Sequence, residues 1–123
     1  MAIDISQIAN EINRSLREYA NGVGDEIEEI AERLAKEGVR KLKATSPVRN
    51  GKYRRGWRAK KVNGVWTVYN ATSYQLTHLL ENGHAKVDGG RVSPVVHIRP
   101  VEEQLIEDFM REVERAIQGW LEH

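Results

Sequence analysis

The sequence predicts an α/β fold of the α+β kind, in which a small antiparallel sheet with a basic hairpin packs against a long N-terminal helical region and a C-terminal helix. Three observations carry this. In the first third, Ile5, Ile8, Ile12, Leu16, Tyr19, Val23, Ile27, Ile30 and Leu34 follow one another at spacings of three and four, the apolar stripe of an amphipathic helix. Asn63-Gly64 stands between two runs rich in aromatic and β-branched residues, the strongest short-range signal for a hairpin closed by a type I′ turn. Behind Pro100, Leu105, Phe109, Val113, Ile117 and Trp120 return to helical spacing, and proline is welcome in the first turn of a helix.

A single N-terminal helix from Asp4 to Lys43 would be about 60 Å long at ~1.5 Å per residue. A compact domain of this size is only roughly 35 Å across, so the helix either projects or breaks. The expected break is Asn21-Gly22-Val23-Gly24-Asp25: each glycine costs a helix interior about 1 kcal/mol, and Asp25 with Glu26, Glu28 and Glu29 reads as a cap and an acid-rich first turn. Two helices are therefore expected, the second ending at Ser46-Pro47. A strand follows over Tyr53 to Val62, with Tyr53, Arg55, Trp57, Ala59 and Lys61 on one face and Arg54, Gly56, Arg58 and Lys60 on the other. Val65 to Asn70 returns antiparallel. Ser73 is placed to cap a short helix from Tyr74 to Glu81, which Gly83 ends. A loop through Asp88-Gly89-Gly90 leads to a third strand at Val95 to Ile98, and Glu102 and Glu103 fall in the first turn of the last helix.

The chain has 123 residues, a length that fits one domain spanning 1–123. Leu121-Glu122-His123 matches the start of a vector-encoded histidine tag and carries no functional weight. There is no cysteine, which excludes a disulfide framework, a thiolate metal site and a cysteine nucleophile. No apolar run approaches the ~20 residues of a membrane span, and no signal-peptide pattern opens the chain, so a cytosolic protein without a membrane partner is expected.

Charge is unevenly placed. From Val39 to Leu80 there is no Asp or Glu, while Arg40, Lys41, Lys43, Arg49, Lys52, Arg54, Arg55, Arg58, Lys60 and Lys61 all fall there. Acid gathers at Asp25 to Glu37 and again from Glu102 onward. Such polarity suits recognition between subunits, or contact with phosphate. Arg54, Arg55, Arg58, Lys60 and Lys61 beside Tyr53, Trp57, Trp66 and Tyr69 have the interleaving of cations and aromatics that binds nucleic acid. The same alternation describes a solvated sheet face over an aromatic core. His78, His84 and His97 lie six and thirteen residues apart, which matches no compact metal motif; no metal and no cofactor is expected. Serines 46, 73 and 93 occupy turns or loops, not a nucleophile elbow. His78 and Glu81 can touch at i,i+3, a geometry more common in structure than in acid–base catalysis. No enzyme is expected.

Three segments, KLKATSPVRNGKYRRGWRAKKV, YQLTHLLENGHAK and GGRVSPVVHIRPVEE, resemble in order and spacing the gene-product-ten family of tailed-phage head–tail joining, tail-completion or minor tail proteins. The resemblance spans roughly residues 36 to 106. Its matching positions are Ser46, Pro47, Gly51, Tyr53, Trp57, His78, Leu79, Leu80, Glu81, Gly83, His84, Gly89, Gly90, His97 and Pro100; Asn50 stands where the family commonly has threonine. The resemblance implies a structural subunit, made in the host bacterial cytoplasm and carried into the virion at the head–tail junction or tail. It would assemble as a ring of copies of itself, contact other neck and tail proteins, and touch passing DNA non-specifically. The alternative is a small nucleic-acid-binding module using the basic hairpin 52–61. On the phage reading, the glycine-bearing segment Asn82 to Val95 is expected to be the most mobile internal region and to order against a neighbouring subunit.

Overall fold

The computed structural model describes residues 5–48 and 51–122, and the side chains of 5–9 and 11–13 are outside that description, as are Arg49, Asn50 and His123. Eight elements follow in order: α1 (Ile5–Thr45), α2 (Lys52–Arg55), β1 (Trp57–Val62), β2 (Val65–Asn70), α3 (Gln75–Asn82), β3 (His84–Ala85), β4 (Arg91–Val92) and α4 (Ile98–Leu121). The two long helices run antiparallel, with Leu42 and Val101 in one buried cluster and Ile30, Leu34 and Ala116 in a second, bridged by Leu105. The β1–β2 hairpin lies against α1.

The expected break at residues 21–25 does not occur: α1 is one helix of 41 residues. Gly22 stays helical because a partner needs the space. A Cβ there would sit 2.1 Å from the Trp120 ring, which also meets Tyr19 edge-on at 6.3 Å and donates from Nε1 to Glu26 Oε2 at 2.8 Å. Burying most of a large ring is worth more than the ~1 kcal/mol that glycine costs the helix. Gly38 makes similar room for Leu105. Asp25 is therefore an exposed residue within α1 and not a cap. Since Trp120 near the end of α4 meets Tyr19 and Gly22, about 20 Å of α1 extends past the pair at ~1.5 Å per residue, and Leu16 on it is 60% exposed.

The hairpin forms as expected from Trp57 onward. Val62 pairs with Val65 across a two-residue turn, with φ of 50° at Asn63 and 81° at Gly64, the two left-handed residues a type I′ turn needs. The strand does not reach back to Tyr53, because Lys52–Arg55 is a single helical turn. Buried Asn70 holds that turn: its Nδ2 donates to the Tyr53 carbonyl at 2.8 Å, and the Thr72 hydroxyl donates to the Lys52 carbonyl at 2.9 Å. These bonds replace the ladder that a longer strand would have supplied.

Three further expectations change. Ser73 makes no side-chain cap; Tyr74 precedes the first residue of α3, and the Ser73 N–H donates instead to Asn70 Oδ1. The residues Val95–His97 form no strand; the second sheet pairs β3 with β4 inside the segment expected as a loop. Pro94 has no N–H for a ladder, and His97 turns inward, where it is 4% exposed. Helix α4 starts at Ile98, so Glu102 and Glu103 lie beyond its first turn. Its buried residues are Val101 and Ala116, while Ile117 is exposed.

Candidate assembly site

Residues drawn from distant parts of the chain meet where α1 ends and α4 begins. Trp57 donates from Nε1 to Ser46 Oγ at 2.8 Å, and the Ser46 hydroxyl donates in turn to the Leu42 carbonyl. Tyr53 packs edge-on against both Trp57 and His97, at 5.6 Å in each case. Its hydroxyl lies 2.7 Å from His97 Nε2, and His97 Nδ1 lies 2.8 Å from the Val95 carbonyl. A carbonyl only accepts, so Nδ1 carries a proton and donates to it. Burial first, and the Glu81 charge second, push the Tyr53 phenol up to about 12.

Glu81 closes the lock. Its Oε1 accepts the backbone N–H groups of His97 and Ile98 at 2.8 and 2.9 Å, and its Oε2 accepts that of Arg99 at 2.8 Å. A carboxylate from α3 thus caps α4 across sixteen residues of chain, where a helix more often takes a local Ser, Thr or Asp. Burial works to raise the Glu81 carboxyl, but the three N–H donors and the nearby His97 ring prevail and hold it below the usual carboxylate range. No spacing rule pairs a residue in one helix with the N-terminus of the next, so this role is invisible in the sequence. Glu81 faces α4 while His78 is exposed on α3.

The basic hairpin is partly committed to the fold. Arg54 lies on α2, and its guanidinium donates to the Ser46 carbonyl at 2.9 and 3.2 Å, capping the C-terminal end of α1 as a cation should. Arg58 donates to the Trp57 carbonyl at 2.9 Å and also to that of Arg55. Lys60 lies 4.8 Å above the Tyr69 ring, and Lys61 pairs with Glu28 of α1. Trp66 donates to the same carboxylate at 3.0 Å. Arg55, Arg58, Lys60 and Lys61 remain exposed, whereas Arg54 is half-buried. Trp57 is buried with Leu42, Tyr53 and Val101, and Leu34 belongs to the other cluster.

Of the remaining motif positions, Pro47, Leu80 and His84 line, together with Tyr53, a groove of about 580 Å³. Within it His84 Nδ1 is buried without a hydrogen-bond partner. Leu80 packs on the core and Leu79 is 42% exposed. Gly51, Gly83, Gly89 and Gly90 all have positive φ, and Pro100 is exposed in the first turn of α4. Among the described residues no three His, Cys, Asp or Glu side chains converge to hold a metal ion, and no helix is long and apolar enough to cross a membrane.

The HK97-gp10-like family model, described as "Bacteriophage HK97-gp10, putative tail-component", matches residues 10–83, more than half of the chain. The chain belongs to that family. The match takes in α1 from residue 10 onward, the basic hairpin and α3, and ends at Gly83; it includes Ser46, Tyr53, Trp57 and Glu81, while His97 and the GGRVSPVVHIRPVEE segment lie past it. No protein of curated function and no solved structure matches this HK97-gp10-like chain.

Proposed function

We propose that the chain is a structural subunit of the phage or prophage head–tail junction or tail end, acting in tail completion and head–tail joining by assembling into a ring with copies of itself and contacting other neck and tail proteins. Family membership over residues 10–83 carries this reading. The lock supports it, because the bonds of Ser46, Trp57, Tyr53, His97 and Glu81 fix the end of α1 and the start of α4. The exposed cations Arg55, Arg58, Lys60 and Lys61 are assigned to subunit contacts or to weak, salt-sensitive contact with DNA passing through the ring. The internal bonds of Arg54, Arg58 and Lys61 count against a dedicated nucleic-acid module.

The test is genetic and structural together. A phage lacking this gene should accumulate filled heads and separate tails in electron micrographs, and supplying the protein should restore joined particles. Intact, infectious particles without it would reject the reading. Arg58→Glu with Lys60→Glu should impair joining while leaving the subunit folded. Arg54 is left unchanged in that variant, because reversing it would attack the end of α1.

A further inference from the structure

We infer that the β3–β4 turn of one copy docks into the groove between α1, β2 and α4 of the next, which makes the subunit contact heterologous. This rests on the self-assembly reading above. The donor is a preformed knob. Val87 at its tip is 109% exposed, as open as in an unfolded chain, and Val92, Val95 and Val96 are 37, 47 and 47% exposed. Four exposed aliphatic side chains within ten residues of chain suit an interaction surface. The turn is already held in shape: the Lys86 N–H donates to the Gly90 carbonyl at 3.0 Å, the Val95 N–H to the Leu80 carbonyl at 2.6 Å, and Arg91 to the Asn82 carbonyl at 3.2 Å. Little ordering cost therefore remains at docking. The segment expected to order only on assembly thus carries its own hairpin.

The acceptor is an apolar groove of about 390 Å³ with Leu34, Val65, Trp66, Ile106 and Phe109 in its walls. Ile106 is 52% exposed, and Met110 one turn further along α4 is 64% exposed. Exposed Glu102, Glu103 and Glu107 flank them on the same helix. Charge selects the occupant. The knob carries Lys86 and Arg91 against the single acid Asp88, so it brings cations and valines to an acid-edged apolar groove. Two α4 helices pairing through this groove would bring the acids Glu102, Glu103 and Glu107 of both copies together. Knob and groove share no residue, so each copy offers one and receives the other, the arrangement that closes a ring when the rotation allows.

A chain without cysteine makes the test clean. Val87→Cys and Ile106→Cys are both at exposed positions and should leave the fold intact. Mixed and mildly oxidised, the two single variants should give one covalent dimer, neither alone should cross-link, and the double variant should give a ladder. Val87→Asp should raise the concentration for half-assembly by about tenfold or more, since it places a carboxylate in an apolar, acid-edged groove. Dimers from Ile106→Cys alone would show α4 pairing with itself and overturn the inference. Wild-type rings with no cross-link in the mixture, and full assembly of Val87→Asp, would overturn it while leaving the ring reading standing. A wild-type chain that stays monomeric by light scattering, alone and with completed phage tail tubes, would sink both.

Discussion

The two ends of the α1–α4 pair are held by opposite means. At one end Trp120 lies on the bare backbone of Gly22, an aromatic contact that also donates a hydrogen bond to Glu26. At the other, five polar or aromatic side chains, Ser46, Tyr53, Trp57, Glu81 and His97, tie the last turn of α1 to the first turn of α4. The first end depends on shape and tolerates no added atoms. The second depends on every buried donor and acceptor having its partner, because an unmet one costs about 1–3 kcal/mol. The end carrying the lock is also the end from which the β3–β4 turn emerges, so rigidity is concentrated beneath the proposed contact surface.

The largest effect should come from the locked end. Trp57→Ala removes a ring that is 4% exposed and leaves the Ser46 hydroxyl oxygen without the N–H it accepts, and should lower the unfolding free energy by about 3–5 kcal/mol. Chemical denaturation followed by the fluorescence of the remaining tryptophans measures it; an unchanged midpoint would mean that the ring does not brace the lock.

Glu81→Gln comes next, with an expected loss of about 2–3 kcal/mol at neutral pH, from charge-assisted hydrogen bonds and the cap of α4. The pH dependence has a definite sign. The folded carboxyl titrates below its unfolded value of about 4.3, so its contribution is fully present above that value and is lost as pH falls through the folded pKa. The gap between wild type and Glu81→Gln should be flat from pH 5 to 7 and close in more acid solution. A gap that persists undiminished at pH 2 would show that the charge is not what caps α4.

The smallest and sharpest comparison uses two glycines in one helix. Gly24 has nothing within 4 Å of where a Cβ would stand, while Gly22 has the Trp120 ring at 2.1 Å. Gly24→Ala should therefore stabilise by about 1 kcal/mol through helix propensity alone. Gly22→Ala receives the same benefit, yet should come out about 1–2 kcal/mol destabilised as the ring is displaced. Thermal melts of the pair decide it, and equal stabilisation by both would show that Trp120 moves aside without cost.

How much of this was legible follows the range of the interaction. The 3.6-residue stripe of α1, the Asn63-Gly64 turn, the Val65 to Asn70 strand and the stop at Ser46-Pro47 each depend on residues within a few positions of one another. The charge gap between Val39 and Leu80 was likewise plain, but which cations serve the fold was not: Arg54 looked like its neighbours until its guanidinium was seen on the Ser46 carbonyl.

The sequence by itself determined the helical stripes, the position of the hairpin turn, the absence of cysteine chemistry and the separation of basic from acidic segments, because periodicity, turn chemistry and charge are local properties of the chain. Tertiary structure alone decided that α1 runs unbroken through two glycines, that Tyr53 leaves the strand for a helical turn, and that Glu81 caps α4. In each case a partner 16 to 98 residues away in the chain (Trp120 for Gly22, Asn70 for Tyr53, His97 for Glu81) outweighs a local preference of about 1 kcal/mol, since burying a ring or satisfying a buried polar group is worth more than that.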